Sequence, residues 1–176
     1  MDVDLKQQGR RSLILSHGRG KESDQSGIRD IHAQNVRHMG LLIFVLPRLL
    51  EAMDNQQIGI SLDATEMFNE RAIYVLKLVQ ALPGQKQLDE NLQRLRTTQF
   101  LIDQSTFMVV GIRHLYRLND RLGTILPREV SFGDFRSQSG LTFPFYMTEK
   151  QSGQELYAVH LTDVHWNVGL STSDFQ

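Results

Sequence analysis

The sequence predicts an α+β fold: an N-terminal strand, three main helices (the first kinked at Pro47, the third long) and a C-terminal β-hairpin. Three observations predict it. Apolar residues recur at three- and four-residue spacing from residue 28 to about residue 122, which is the helical period. Beyond Pro127 that period gives way to Gly, Ser and aromatic residues in alternating runs, which is the strand period. A short apolar segment within residues 11–16 precedes both.

Composition sets the bounds. With 176 residues, 40% hydrophobic and 22% charged, the chain has an ordinary globular make-up in the size range of one domain. Such a length buries about two-thirds of the surface of its unfolded chain, so neither disulfides nor a structural metal are needed to fold it. With no cysteine, disulfide scaffolds, thiolate zinc sites, iron–sulfur clusters and cysteine nucleophiles are excluded. The longest apolar run, Met39 to Leu46, falls far short of the roughly 20 residues that cross a bilayer, so no membrane span is expected. The opening Met-Asp-Val-Asp, followed only by the short apolar Ser12-Leu-Ile-Leu-Ser16, does not suit a secretory signal, and a cytoplasmic location is the expectation.

The elements follow in order. Arg11 to Ser16 reads as a strand, and His17 to Gly27, with three glycines and polar side chains, as a mobile loop. Helix one is expected from Ile28 to Met53 on the apolar positions Ile31, Met39, Leu42, Ile43, Leu46, Leu49, Leu50 and Met53, with Pro47 kinking it. Helix two starts at Asp63, with Glu66 three residues later as in a capping box, buries Ala64, Met67, Phe68, Ala72, Val75, Leu76 and Val79, and stops at Pro83-Gly84. Residues 88–122 contain no proline and would reach about 52 Å as one helix, with a bend at Asp103-Gln-Ser-Thr106 or Gly111. Leu141 to Thr148 and Glu155 to Trp166 alternate about a turn-rich link and read as a hairpin, with Pro144 marking the first as an edge strand. Residues 1–27 thus form a basic arm with a short strand and flexible loop, 28–126 a helical core and 127–176 a C-terminal loop and hairpin, all within one domain.

The net charge of −1 hides an uneven distribution. Residues 1–21 carry +3 and residues 86–121 carry +2, against −3 in each of residues 22–85 and 122–176. Arginine dominates, 14 to 5 lysines, which suits planar pairing with carboxylate or phosphate. Lys6, Arg10, Arg11, Arg19 and Lys21 would form a flexible basic arm able to follow a phosphate backbone. Arg113, Arg117 and Arg121, spaced four apart, would stand in one row on the third helix, with Arg94, Arg96 and His114 nearby.

Other chemistry finds less support. No His pair has helical metal-ligand spacing, and His160 and His165 fall on opposite faces of a strand. Asp163 and His165 share a face and are the best pair for a metal or proton. No strained nucleophile turn occurs, and His17-Gly-Arg-Gly-Lys21 matches neither a phosphate-binding loop nor a dinucleotide fingerprint. The expectation is therefore a non-enzymatic, homo-oligomeric DNA-binding or transcription-regulating factor without a cofactor. It would contact nucleic acid through the arm and the Arg row. The first alternative is a protein-interaction or scaffold protein, self-associating or binding a partner through the hydrophobic first helix and the hairpin edge. The second is a small hydrolase using His160, Asp163 or His165.

Overall fold

The computed structural model describes residues 2–5, 9–16, 19–24, 26–31, 45–81, 90–117, 124–138, 140–164 and 169. They fall into two compact units, residues 1–45 with 165–176, and residues 46–164. The α+β expectation is corrected: the described residues form eleven strands and two short helices, and the second unit is built on a seven-stranded antiparallel sheet.

The first unit holds a four-stranded antiparallel meander, β1 (Asp2–Leu5), β2 (Gly9–Ser16), β3 (Arg19–Asp24) and β4 (Gly27–Ile31). Where it is described, the expected flexible arm and loop is paired backbone. Ser12 lies opposite both Asp2 and Ser23, and Ser16 lies opposite Arg19 across a short link at residues 17–18. Gly27, at φ 124°, supplies the backbone conformation that the β3–β4 turn requires. Arg29 Nε donates to Glu22 across the β3–β4 ladder at 3.0 Å.

The second unit opens with α1 (Val45–Asp54). Pro47 lies in its first turn, where a missing N–H costs no hydrogen bond within Val45–Asp54. Half of the expected first helix, residues 32–44, lies outside the described residues, and Gly27–Ile31 is strand. Seven strands then follow: β5 (Ile58–Phe68), β6 (Arg71–Gln80), β7 (Thr97–Asp103), β8 (Val109–Arg117), β9 (Ile125–Gln138), β10 (Leu141–Gln151) and β11 (Gln154–His160). Each pairs with its successor, and α2 (Glu90–Leu95) sits between β6 and β7.

The expected second helix is the β5–β6 hairpin. Its turn residues Asn69 and Glu70 have φ of 47° and 64°, the left-handed pair of a two-residue hairpin turn whose twist matches the strands. Ile73, Tyr74, Val75 and Val79 are β-branched or aromatic and outweigh the capping-box pattern. Asp63, the expected cap, is instead the extra residue of a bulge between Leu62 and Ala64. The expected long third helix resolves into α2, β7 and β8, and the predicted bend at Asp103-Gln-Ser-Thr106 is the turn between the two strands. The C-terminal hairpin residues pair as β10 and β11, but β9 lies on the other side of β10, so the Pro144 strand is not an edge.

The large sheet curls. Strands stand about 4.8 Å apart, so β5 and β8 would lie roughly 14 Å apart in a flat sheet. Yet a Cβ at Gly111 on β8 would stand 3.1 Å from the Phe68 ring of β5. The Glu66 carboxylate of β5 also reaches Arg113 of β8. The face carrying Glu66, Phe68, Gly111 and Arg113 is therefore concave. Bulges at Asp63 and in the β7–β8 and β10–β11 ladders add local twist. On the concave side Ile73, Val75 and Leu101 are at most 1% exposed and pack with Phe68 and Val110. The opposite face buries Phe100, Ile112, Val130 and Met147.

Candidate ligand groove on the concave sheet face

Strand register explains the layout of the concave face. Lys77, Gln99, Arg113, Glu129, Lys150 and Glu155 are successive cross-strand partners from β6 to β11, a single polar row across the sheet. Two residues along each strand, and three along β11 where the ladder shifts register, runs a parallel row, Val75, Leu101, Gly111, Ser131, Thr148 and Ala158. From Gly111 onward that row is small, which leaves a furrow over β9 and β10 beside the charges.

Two hollows result. One of about 360 Å³ is walled by Phe68, Val110 and Tyr146 over a floor containing Ser131 and Thr148, with Arg71, Lys150 and Glu155 also in its lining. The other, of about 530 Å³, is lined by Lys77, Arg94, Gln99, Arg113, Glu129 and Lys150 among others. Lys150 lines both. Each volume lies within the span of roughly 300–1,000 Å³ usual for small-molecule sites. Side by side, an aromatic hollow and a cationic one make an amphipathic groove.

Arg113 organises the boundary. Its Nε donates to Glu129 at 2.8 Å, its Nη1 pairs with Glu66, and its guanidinium stands 5.3 Å from the centre of the Phe68 ring. Partial burial works against its charge, but the hydrogen bonds and negative charges of Glu129 and Glu66 outweigh it and push the guanidinium pKa up. Arg113 is thus held in place by two carboxylates. Arg128, at the margin of the cationic hollow, pairs with the buried Glu149, which also accepts from the Tyr157 hydroxyl. Burial and the adjacent carboxylate push the Tyr157 phenol well above its ordinary range. Lys77, Arg94 and Lys150 have no ion pair among the described residues. Asp63 reaches the rim by accepting a hydrogen bond from Gln99 at 2.9 Å.

Of the residues singled out from sequence, Arg113, together with its expected neighbours Arg94 and His114, lines the groove. It does so from a strand, which turns the predicted helical row into a set of ladder positions. Arg117 ends β8, and Arg121 and Lys6 lie outside the described residues. Arg10 and Arg11 stand opposite Asp4 and Val3 in the β1–β2 ladder. Arg19 and Lys21 are exposed on β3, in the other unit. The arm residues thus belong to one unit and Arg113 and Arg117 to the other. His160 stacks on Tyr146 with ring centres 4.5 Å apart, Asp163 accepts from Gln138 at 2.9 Å, and His165 lies outside the described residues. Among the described residues no three His, Asp or Glu side chains are grouped to hold a metal. No helix among them is long and apolar enough to cross a membrane.

Sequence reasoning missed Lys77 and Lys150. The signal for Lys77 was present: it is a lone cation inside Ala72-Ile-Tyr-Val-Leu-Lys-Leu-Val79, and at strand period it shares a face with Val75 and Val79. Lys150 was hidden in a segment of turn composition that β10 extends through.

No family model and no curated protein matches this sequence. Among solved structures, the chain is similar over 99% of its length to 78% of a domain proposed to be that of an outer membrane lipoprotein-sorting protein from Vibrio parahaemolyticus, with a TM-score of 0.54 and 12% identity. It is also similar over 95% of its length to 68% of a DUF1329 family protein from Desulfovibrio piger, with a TM-score of 0.55 and 13% identity. At these identities the likeness is one of fold. The expectation of a DNA-binding, transcription-regulating factor is overturned: the described residues of the arm and of the Arg row lie on strands, and the fold is similar to that of the Vibrio parahaemolyticus domain.

Proposed function

We propose that this chain is a binding protein for an amphiphile, a lipid or the acylated end of a lipoprotein, held on the concave face of the seven-stranded sheet. The observation that carries this reading is the amphipathic groove. Phe68, Val110 and Tyr146 offer an apolar hollow beside a row of charges, and the small side chains of Ser131 and Thr148 keep its floor low enough for a chain to lie in it. The fold shared with a domain proposed for lipoprotein sorting supports the same reading. The groove needs no catalytic group, because apolar burial holds a tail at roughly 25 cal/mol per Å² removed from water while polar residues fix its orientation.

The test is calorimetric titration with a palmitoylated peptide and with the same peptide unacylated. Saturable binding of the acylated form alone is expected. Ser131→Leu, which fills the furrow without adding charge, should weaken it roughly tenfold, about 1.4 kcal/mol. Equal binding of the two peptides, or none of either, contradicts the proposal.

A further inference from the structure

We infer that the cationic hollow is an anion subsite, built to take a phosphate-bearing head group whose tail lies in the adjoining aromatic hollow. This deepens the proposed function by naming the ligand class, and its lipid form rests on that reading. The argument begins with charge. The lining holds five cations, Lys77, Arg94, Arg113, Arg128 and Lys150, and their ion-pair partners are Glu66, Glu129 and Glu149.

The pairs are unevenly shared. Arg113 takes two carboxylates and Arg128 takes the buried Glu149, so the compensation is concentrated on two of the five cations. Lys77, Arg94 and Lys150 come from β6, α2 and β10, and no ion pair holds any of them among the described residues. Lys77 and Lys150 are half-buried, so part of their hydration is already lost, and each would attract an anion in the hollow through a medium less screening than bulk water. Glu155, the cross-strand partner of Lys150, lines the aromatic hollow and makes no ion pair with Lys150.

The geometry also selects the kind of anion. Lysine ammonium groups are compact point charges with three donors each, suited to phosphate, and the exposed Arg94 adds a planar fork at the mouth. Arg113, pinned by Glu66 and Glu129, is a fixed wall between the hollows rather than a free donor. A head group seated on Lys77 and Lys150 would leave its tail directed along the furrow, because Lys150 lines both hollows.

The experiment compares three probes by calorimetry: a monoacylglycerol phosphate, the monoacylglycerol with the same chain, and inorganic phosphate. The intact protein should bind the phosphate-bearing lipid roughly tenfold or more tighter than the neutral one, with the advantage falling as salt rises. Lys77→Gln with Lys150→Gln should bring that ratio close to one. Arg94→Gln, at an exposed position, supplies a milder variant should the double change disturb folding, which thermal melts would reveal. A ratio near one in the intact protein overturns the inference while leaving amphiphile binding standing. If inorganic phosphate binds as tightly as the phosphate-bearing lipid, the subsite stands as a free-anion site and its lipid form is overturned. If phosphate binds and neither lipid does, the anion subsite survives and the proposed function falls.

Discussion

At the scale of single residues, Asp103 has the best-defined electrostatic role. It ends β7, and its Oδ1 accepts from the N–H groups of Ser105 and Thr106, each at 2.9 Å, and from both hydroxyls. The Ser105 hydroxyl and the Thr106 N–H, outweighing burial, hold its pKa down at about 2 from an ordinary 3.8. A depressed folded-state value means that the stabilisation is fully present above the unfolded value and is lost as pH falls through the folded one. Stability should therefore decline between about pH 4 and pH 2, by about 2 kcal/mol from this group. Asp103→Asn should cost about 1–3 kcal/mol at neutral pH and flatten that acid limb, as urea unfolding across pH would show. Gly111 is the second sensitive position. A Cβ there would stand 2.9 Å from the Val130 carbonyl oxygen and 3.0 Å from Leu101 Cδ1, and the backbone atom cannot swing aside. Gly111→Ala should lower stability by roughly 1–3 kcal/mol in the same assay, because the overlap must be relieved by moving strands.

At the scale of elements, the β5–β6 hairpin turns on two non-glycine residues in the left-handed region. Asparagine tolerates that conformation and glutamate does so less readily. Glu70→Gly should raise the melting temperature, with a gain of up to about 1 kcal/mol after the added unfolded-state entropy of glycine is offset. An unchanged or lower melting temperature would show that the turn does not carry this strain. The same hairpin shows where the sequence was legible and where it was not. Residues 58–80 hold apolar positions that satisfy a helical stripe and a strand face alike, and Asp63 with Glu66 completes a persuasive cap. The ladder decides otherwise, because Asp63 and Glu66 find partners in Gln99 and Arg113, 36 and 47 residues away. Such partners are invisible to local reading. The turn chemistry at Asp103-Gln-Ser-Thr106 was legible, as was the alternation of residues 141–148, because both are local properties. The Arg113 position was legible as a charge but not as a site, since what makes it one is its place in a cross-strand row.

At the scale of the molecule, the central feature is a sheet whose curl turns one face into a groove. The meander topology places each strand beside its neighbour in sequence, so the polar row from Lys77 to Glu155 and the small-residue row beside it are assembled from six strands by register alone. The net charge of −1 gave no hint of the three cations that face this groove without ion pairs, because acidic residues elsewhere balance them. The chain also exposes Leu50 and Met53 on α1, and Leu62 and Met67 on β5, so apolar surface exists outside the groove as well. Which surface takes a tail is decided by one measurement: photo-crosslinking of the purified protein with a peptide whose acyl chain carries a diazirine at its end, followed by mass spectrometric mapping. The account predicts labels on the segments holding Phe68, Val110 and Tyr146, suppressed by Ser131→Leu. Labels confined to α1 and the outer side of β5, or insensitive to that substitution, would contradict it.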